Sequence, residues 1–272
     1  MVATQHRSAC PMDCPDTCAL QVTVEDGKVT ALDGDPGDPF TDGFICGKVR
    51  GGMVEHMYGP DRILHPLVRT GAKGAGEFRQ VSWDEALALA ADKIREVVAR
   101  SGAEAILPFA YGGSNGALTD CSVDWRLFRR LGATRMLRTY CAAATTAAAT
   151  GLYGRMPGVA LEDYVHSRLI LIWGCNPSAT SIHMVPVVKA ARERGAKLVV
   201  VDPRRIPLAR QADLHLALRP GTDLPVAMAL INWLFENGRA DADFLAAHAT
   251  GVDELRRRAR AWPIERAAAI AG

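Results

Sequence analysis

Cys10, Cys14, Cys18 and Cys46 stand in a C-x3-C-x3-C-x27-C pattern, and Lys48 follows the last of them by two positions. Four thiolates are what an iron–sulfur cubane requires, one for each iron. The first three come from one tight segment in which Pro11 and Pro15 favour a compact irregular loop. Such a loop can wrap three corners of a cubane, which a helix cannot. The fourth cysteine arrives from a distant loop, so a cluster here would staple the N-terminal fold as well as carry an electron. Zinc is the competing metal, but structural zinc sites usually draw on two cysteine pairs rather than three cysteines and a remote one. A disulfide framework fits less well, because the chain has 272 residues and an odd count of seven cysteines.

A chain of this length has room for one or two domains with a sizeable core. Its 32 Lys and Arg against 30 Asp and Glu give a net charge of +2, which offers no electrostatic case for a nucleic-acid or membrane partner. Residues 1–9 are polar, with no apolar leader or twin arginine, and no apolar run is long enough for a membrane span. The expectation is a soluble, cytoplasmic protein, where reduced thiols suit a cluster.

The opening sixty residues read as a small, mostly β module. Segments 20–24 and 28–32 alternate around Asp26-Gly27, a hairpin signal in which glycine supplies a positive φ. A Gly-, Asp- and Pro-rich loop follows over 33–43, and a boundary is expected near 58–61. After a linking stretch over 62–80 the pattern becomes alternating strand and helix. Ser82 and Glu85 form a capping box ahead of a helix whose apolar face carries Leu87, Ala91, Ile94 and Val98, ending at Ser101-Gly102. Strands are expected at 105–110, 136–140, 169–173, 197–201 and 214–218. Helices are expected at 121–131, 141–151, 182–194 and 224–236, with two more short ones to the end. This rhythm predicts an α/β fold, a parallel sheet covered by helices on both sides. Ligands on such sheets sit beyond the carboxyl ends of the strands.

Three of those strand ends carry unusual loops. Trp173-Gly174-Cys175-Asn176-Pro177 leads through Ser178, Thr180 and Ser181 into the next helix; its glycine admits a phosphate and its polar groups donate hydrogen bonds. Val201-Asp202-Pro203-Arg204-Arg205 offers a carboxylate for a ribose hydroxyl or guanine nitrogens, and arginines for phosphates. Arg219-Pro220-Gly221-Thr222-Asp223 sets a second carboxylate beside a glycine turn. Each loop by itself also reads as an ordinary helix cap or surface ion pair. Together they favour a nucleotide-bearing ligand, while the missing G-x-G-x-x-G fingerprint counts against a simple NAD site.

The cysteine set with Cys46-Gly47-Lys48, followed in order by the W-G-C-N-P, V-D-P-R-R and R-P-G-T-D loops, resembles the molybdopterin oxidoreductases of the dimethyl sulfoxide reductase superfamily. The resemblance runs from about Ser8 to the end and corresponds to the N-terminal portion of such enzymes. It implies a [4Fe-4S] cluster on Cys10, Cys14, Cys18 and Cys46, with residues 1–60 as the cluster module. Residues 61–272 would form an incomplete region binding molybdopterin guanine dinucleotide, the cofactor being Mo-bis(molybdopterin guanine dinucleotide). Lys48 would lie on the electron path between cluster and pterin, where its ammonium would raise the cluster's potential. Gly174, Asn176, Asp202, Arg204, Gly221, Thr222 and Asp223 would bind guanine dinucleotide tails. Cys141, after Arg138-Thr139-Tyr140 and before an alanine-rich helix, matches the position of the molybdenum ligand.

Other features are read as structural: Cys121 and Cys175 as packing residues, 111–116 as a glycine-rich turn, His183 as a helix-surface residue, and Arg256, Arg257, Arg258 and Arg260 as a solvated helix face. The resemblance implies two-electron chemistry on a small-molecule substrate, with single electrons relayed to an external carrier or redox subunit. Family members continue into further α/β segments and a C-terminal β-barrel. The chain is therefore expected to be a fragment, a truncated product or one part of a split enzyme, partnered by a missing C-terminal half. Two rival readings are a cluster-binding electron-transfer subunit without molybdenum and a zinc-stapled nucleotide-binding module.

Overall fold

The computed structural model describes residues 2–109, 123–137 and 141–272, and its chain divides into two compact units, 1–158 and 159–272. Unit 1 opens with three antiparallel strands, β1 (Thr4–Ala9), β2 (Ala19–Glu25) and β3 (Lys28–Gly34), in the order β1-β2-β3. The β2–β3 turn is the expected hairpin: Asp26 and Gly27 both take positive φ, 49° and 74°, as a tight twisted turn requires. Strand β1 was not expected from the sequence.

The module also holds more helix than the sequence reading allowed. Cys46 caps α1 (Gly47–Arg50), which runs almost directly into α2 (Gly52–Tyr58), and both lie against β3. Leu20, Leu32, Ile45 and Val49 are buried together with Cys18 in the module's core, and Met53, Val54 and Met57 of α2 pack against it.

The stretch expected to be a linker contains a short hairpin, β4 (Leu67–Arg69) with β5 (Phe78–Gln80), before α3 (Trp83–Ser101). Only half of the expected capping box forms. Ser82 Oγ accepts from the Glu85 amide at 3.1 Å, but the Glu85 carboxylate turns to Arg79 instead of the cap's own N–H. Ala91, Ile94 and Val98 are half-buried as the periodicity requires, whereas Leu87 is exposed. The strand expected at 105–110 is corrected over its described part: Ala103–Ala105 is a 3-10 turn and 106–109 form no ladder. Ile106 is extended, but its carbonyl accepts from the Thr134 amide at 3.0 Å without further rungs forming a strand. Helices α4 (Val123–Leu131) and α5 (Cys141–Tyr153) follow. The strand expected at 136–140 is likewise not formed at 136–137, and 138–140 lie outside the described residues.

Unit 2 contains the parallel sheet β6 (Leu169–Trp173), β7 (Lys197–Val201) and β8 (Leu214–Leu216), in that order. Helix α6 (Met184–Glu193) connects β6 to β7. Beyond β8 come α7 (Asp223–Glu236), α8 (Ala242–His248), α9 (Val252–Ala259) and α10 (Ile264–Ala271), three terminal helices where two were expected. The fold is thus mixed α/β, with an antiparallel N-terminal sheet and a parallel sheet of three strands among the described residues.

The expected two-sided cover does not hold for β6. Ile170 and Ile172 are buried with Leu198 and Val200 against Val188 and Ala191 of α6. Leu169 and Leu171 face the other way and stay exposed, at 60% and 48%. An uninterrupted apolar run is compatible with burial on one face or on two, so composition could not distinguish them. At the amino end of the sheet Asp213 ties β7 to the start of β8: its carboxylate accepts from the Leu198 amide and from Lys197 Nζ, each at 2.9 Å.

Candidate functional site

In unit 1 the cysteine loop begins where β1 stops. Cys10 directly follows Ala9, and its amide donates to the Cys18 carbonyl at 2.8 Å, closing the segment into a loop whose far end enters β2. Inside it the Thr17 amide reaches the Cys14 carbonyl at 3.3 Å, and Thr17 takes a left-handed φ of 44°. This folds the chain back on itself between Cys14 and Cys18. Cys46 caps the start of α1, its carbonyl accepting from the Val49 and Arg50 amides at 3.2 and 3.1 Å.

Cys18 is buried within the module's core, and Cys10 and Cys46 pack against that same core. Cys14 is half-buried, and all four cysteines are free thiols. Burial first, then the charges of Asp16, Cys10 and Cys14, pushes the Cys18 thiol up to about 11. A thiol in such a place ionises readily only when a cation takes its charge, which is what metal ligation supplies. Among the described residues no three His, Cys, Asp or Glu side chains are grouped to hold a single metal ion. Three of the four thiols, Cys10, Cys18 and Cys46, meet one core, and thiolates are the donor type an iron–sulfur cluster takes. Lys48 lies exposed on α1, two residues beyond Cys46.

In unit 2 the three loops all leave the carboxyl edge of the parallel sheet, and hydrogen bonds join them. The Gly174 amide donates to the Val201 carbonyl at 2.9 Å, and the Asp202 amide to the Leu216 carbonyl at 3.1 Å. Trp173 Nε1 donates to Asp223 Oδ1 at 2.6 Å, linking the end of β6 to the start of α7. Gly174 and Gly221 take positive φ, 64° and 85°, and open space lies where a side chain would project from each.

The polar groups of this edge are partly committed to shaping it. Asp202 Oδ1 accepts from the Arg204 amide at 2.7 Å, and His215 Nε2 is 2.9 Å from the Asp202 carbonyl. Thr222 Oγ1 donates to the Arg219 carbonyl at 2.6 Å, fixing the turn around Gly221. The Asn176 carbonyl accepts from the amides of Ala179 and Thr180, which sets up the entry to α6. Its side-chain Oδ1, by contrast, is buried with no hydrogen-bond partner. A buried acceptor left in this state costs free energy until a donor reaches it.

Two expectations are corrected here. Cys175 is exposed on the first loop rather than packed, its thiol raised by desolvation and by the nearby Asp202 charge. His183 is buried, 4% exposed, at the residue capping α6 rather than on the helix surface. Arg256, Arg257 and Arg258 are exposed; Arg257 and Arg258 pair with Glu254, and Arg256 lies 4.9 Å over the Phe235 ring. Cys121 and residues 111–116 lie outside the described residues. Cys141 begins α5 in unit 1. The sequence reading missed the Trp173–Asp223 bond and the part played by His215. A tryptophan closing an otherwise aliphatic strand was the available signal.

Residues 62–271 match the model of the family described as molybdopterin oxidoreductase, and residues 3–59 match the molybdopterin oxidoreductase Fe4S4 domain. The chain belongs to the molybdopterin oxidoreductase family. It is 36% identical to the probable oxidoreductase YoaE of Bacillus subtilis (strain 168), over 98% of this chain and 39% of that protein. It is 31% identical to the probable dimethyl sulfoxide reductase chain YnfF of Escherichia coli (strain K12), over 91% of this chain and 32% of that protein. Among solved structures it resembles acetylene hydratase from Pelobacter acetylenicus, with a TM-score of 0.73 and 27% identity, covering 98% of this chain and 36% of that one. The chain thus spans between about a third and two-fifths of the length of these family members. Among the described residues no helix is long and apolar enough to cross a membrane.

Proposed function

We propose that this chain is the N-terminal portion of a molybdenum oxidoreductase. In this reading Cys10, Cys14, Cys18 and Cys46 hold a [4Fe-4S] cluster, and the β6–β8 loops hold guanine dinucleotide of a Mo-bis(molybdopterin guanine dinucleotide) cofactor. The observation that carries it is the common core shared by Cys10, Cys18 and Cys46 inside the Fe4S4-domain match. Residues 1–60 then act as the cluster module and 61–272 as the cofactor-binding region. When bound, the metal centres supply two-electron redox chemistry on a small-molecule substrate and single-electron relay to an external carrier or redox subunit.

The chain's own residues bind and orient. The four cysteines surrender their protons on ligation, and the Lys48 ammonium, two residues from Cys46, steadies added negative charge. At the sheet edge Asn176 Oδ1 accepts from a ligand N–H or O–H, which relieves its missing partner. Asp202 keeps one oxygen for a ribose hydroxyl while the other holds the Arg204 amide, and the Arg204 guanidinium meets phosphate. Asp223, with one oxygen held by Trp173, offers the second to a guanine N–H. Gly174, Gly221 and the tied hydroxyl of Thr222 keep the approach clear. Cys141, at the start of α5, is assigned as the protein ligand to molybdenum. The setting is cytoplasmic, and the remainder of the catalytic pocket comes from a C-terminal half.

Anaerobic purification followed by iron, sulfide and molybdenum analysis tests this. Near four irons per chain and a paramagnetic signal after reduction are expected. Folded protein that is colourless and iron-free would overturn the reading. Iron with no molybdenum, even after supply of the cofactor, would instead favour a cluster-bearing electron-transfer subunit.

A further inference from the structure

Asp35, directly after β3, reaches the segments that carry Cys10, Cys18 and Cys46, the first through its carboxylate and the other two through its backbone. It is 7% exposed. Arg7, three residues before Cys10, donates through Nε to Asp35 Oδ2 at 2.5 Å. The Asp35 amide donates at 3.1 Å to the carbonyl of Ala19, the residue after Cys18. Its carbonyl accepts at 3.1 Å from the amides of Asp38 and of Gly43, the latter three residues before Cys46. The remaining carboxylate oxygen, Oδ1, accepts from the Gly37 amide at 2.8 Å.

The loop it organises is rigid by its own bonds. Asp38 Oδ1 accepts from the Thr41 amide and hydroxyl, at 2.7 and 2.9 Å, and Thr41 is buried. The chain then crosses back over Gly34 so closely that a Cβ there would run into the Gly43 backbone. Cys46 therefore leaves a loop whose position is fixed relative to β1 and β2, not one free to swing. Within that arrangement the Arg7–Asp35 pair joins β1 to the loop, while β1 meets β2 through its ladder, the Gln21–Gln5 side-chain bond and the Thr4 hydroxyl on the Val24 carbonyl.

We propose that Asp35 is a positioning residue for the cluster site, holding the Cys10, Cys18 and Cys46 segments in register so that the thiolates are arranged before iron arrives. This rests on the cluster reading above. Such supporting groups fix ligand geometry without touching the metal, and their loss typically costs roughly 10–100-fold in metal affinity.

The full chain, loaded anaerobically with ferrous iron and sulfide, tests this through Arg7→Gln, Arg7→Lys and Asp35→Asn. Loss of cluster to an iron chelator is followed by visible absorbance, with melting of the iron-free protein recorded alongside. The expected result is a half-life shorter by ~10-fold in R7Q and D35N. R7K recovers most of it, and the melting of iron-free R7Q stays close to wild type, since the Arg7 side chain is 76% exposed. Wild-type retention in R7Q overturns the inference and leaves the cluster reading standing, even if D35N fails to fold. Faster loss in R7Q that only follows a lowered melting temperature, with no rescue by lysine, overturns it as well. A folded wild-type chain that binds no iron removes the cluster reading and this inference together.

Discussion

The indole of Trp173 and the carboxylate of Asp223 meet at 2.6 Å, so the last residue of β6 and the first residue of α7 are held together across 50 positions of sequence. This bond spans the first and third loops of the carboxyl edge. It also settles the geometry of Asp223: one oxygen is engaged by the protein and one is left over. Each carboxylate oxygen has two lone pairs, so Oδ1 keeps room for a further donor beside the indole and Oδ2 is open to others.

Removing the donor with Trp173→Phe should therefore lower the stability of unit 2 by about 1 kcal/mol, the usual net worth of a hydrogen bond. Urea unfolding of W173F beside wild type is the measurement. Identical midpoints would mean the bond adds nothing to the fold.

Alanine at each of Cys10, Cys14, Cys18 and Cys46 should abolish or sharply reduce the visible absorbance of reconstituted protein, because a cubane needs a ligand at every iron. Cys175→Ala should leave it intact, since Cys175 belongs to unit 2 and the β6 loop. A C175A protein as pale as C18A would contradict the assignment of ligands.

Asp213 gives a pH dependence. The Leu198 amide, then Lys197 Nζ, then the charges of Lys197 and Arg192 hold its carboxyl below the ordinary aspartate range. A depressed folded-state value means that the stabilisation is fully present above the ordinary value of about 3.9 and is lost as pH falls through the folded-state value. Asp213→Asn should melt earlier than wild type near neutrality, and the two curves should converge in acid. Melting temperatures between about pH 7 and pH 3 check it; a gap that widens on acidification would contradict the sign.

The two faces of the parallel sheet should respond unequally to truncation. Leu198 is fully buried, and Leu198→Ala should cost about 2–5 kcal/mol through lost contacts and a residual cavity. Leu171, 48% exposed, should lose much less as Leu171→Ala. Parallel denaturant titrations of L198A and L171A provide the comparison.

What could be read beforehand follows from how each element is held. Strand β7 is an unbroken Lys-Leu-Val-Val-Val run and the Asp26-Gly27 turn is written in its residue types, so both were legible. Strand β1 was not. Its six residues, Thr-Gln-His-Arg-Ser-Ala, are all exposed and show no apolar alternation; what holds them is the ladder from Thr4 opposite Val24 to Ala9 opposite Ala19. Helices α1 and α2 were hidden by Gly47, Gly51 and Gly52, which read as turn residues, although Val49 is almost completely buried. At the candidate site the residue types and their order were visible in the sequence. The pairings were not: nothing along the chain says that Asp223 meets Trp173, that Asp202 folds onto the Arg204 amide, or that Asn176 Oδ1 is left without a partner.

The bare side of β6 has a practical outcome. Register aligns Leu171 with Val199 and Val199 with Leu214, so a greasy stripe runs across all three strands, with Leu171 and Leu214 each about half open to water. Purified alone, the chain should light up hydrophobic dyes, cling to phenyl resin, and self-associate more as the solution is warmed.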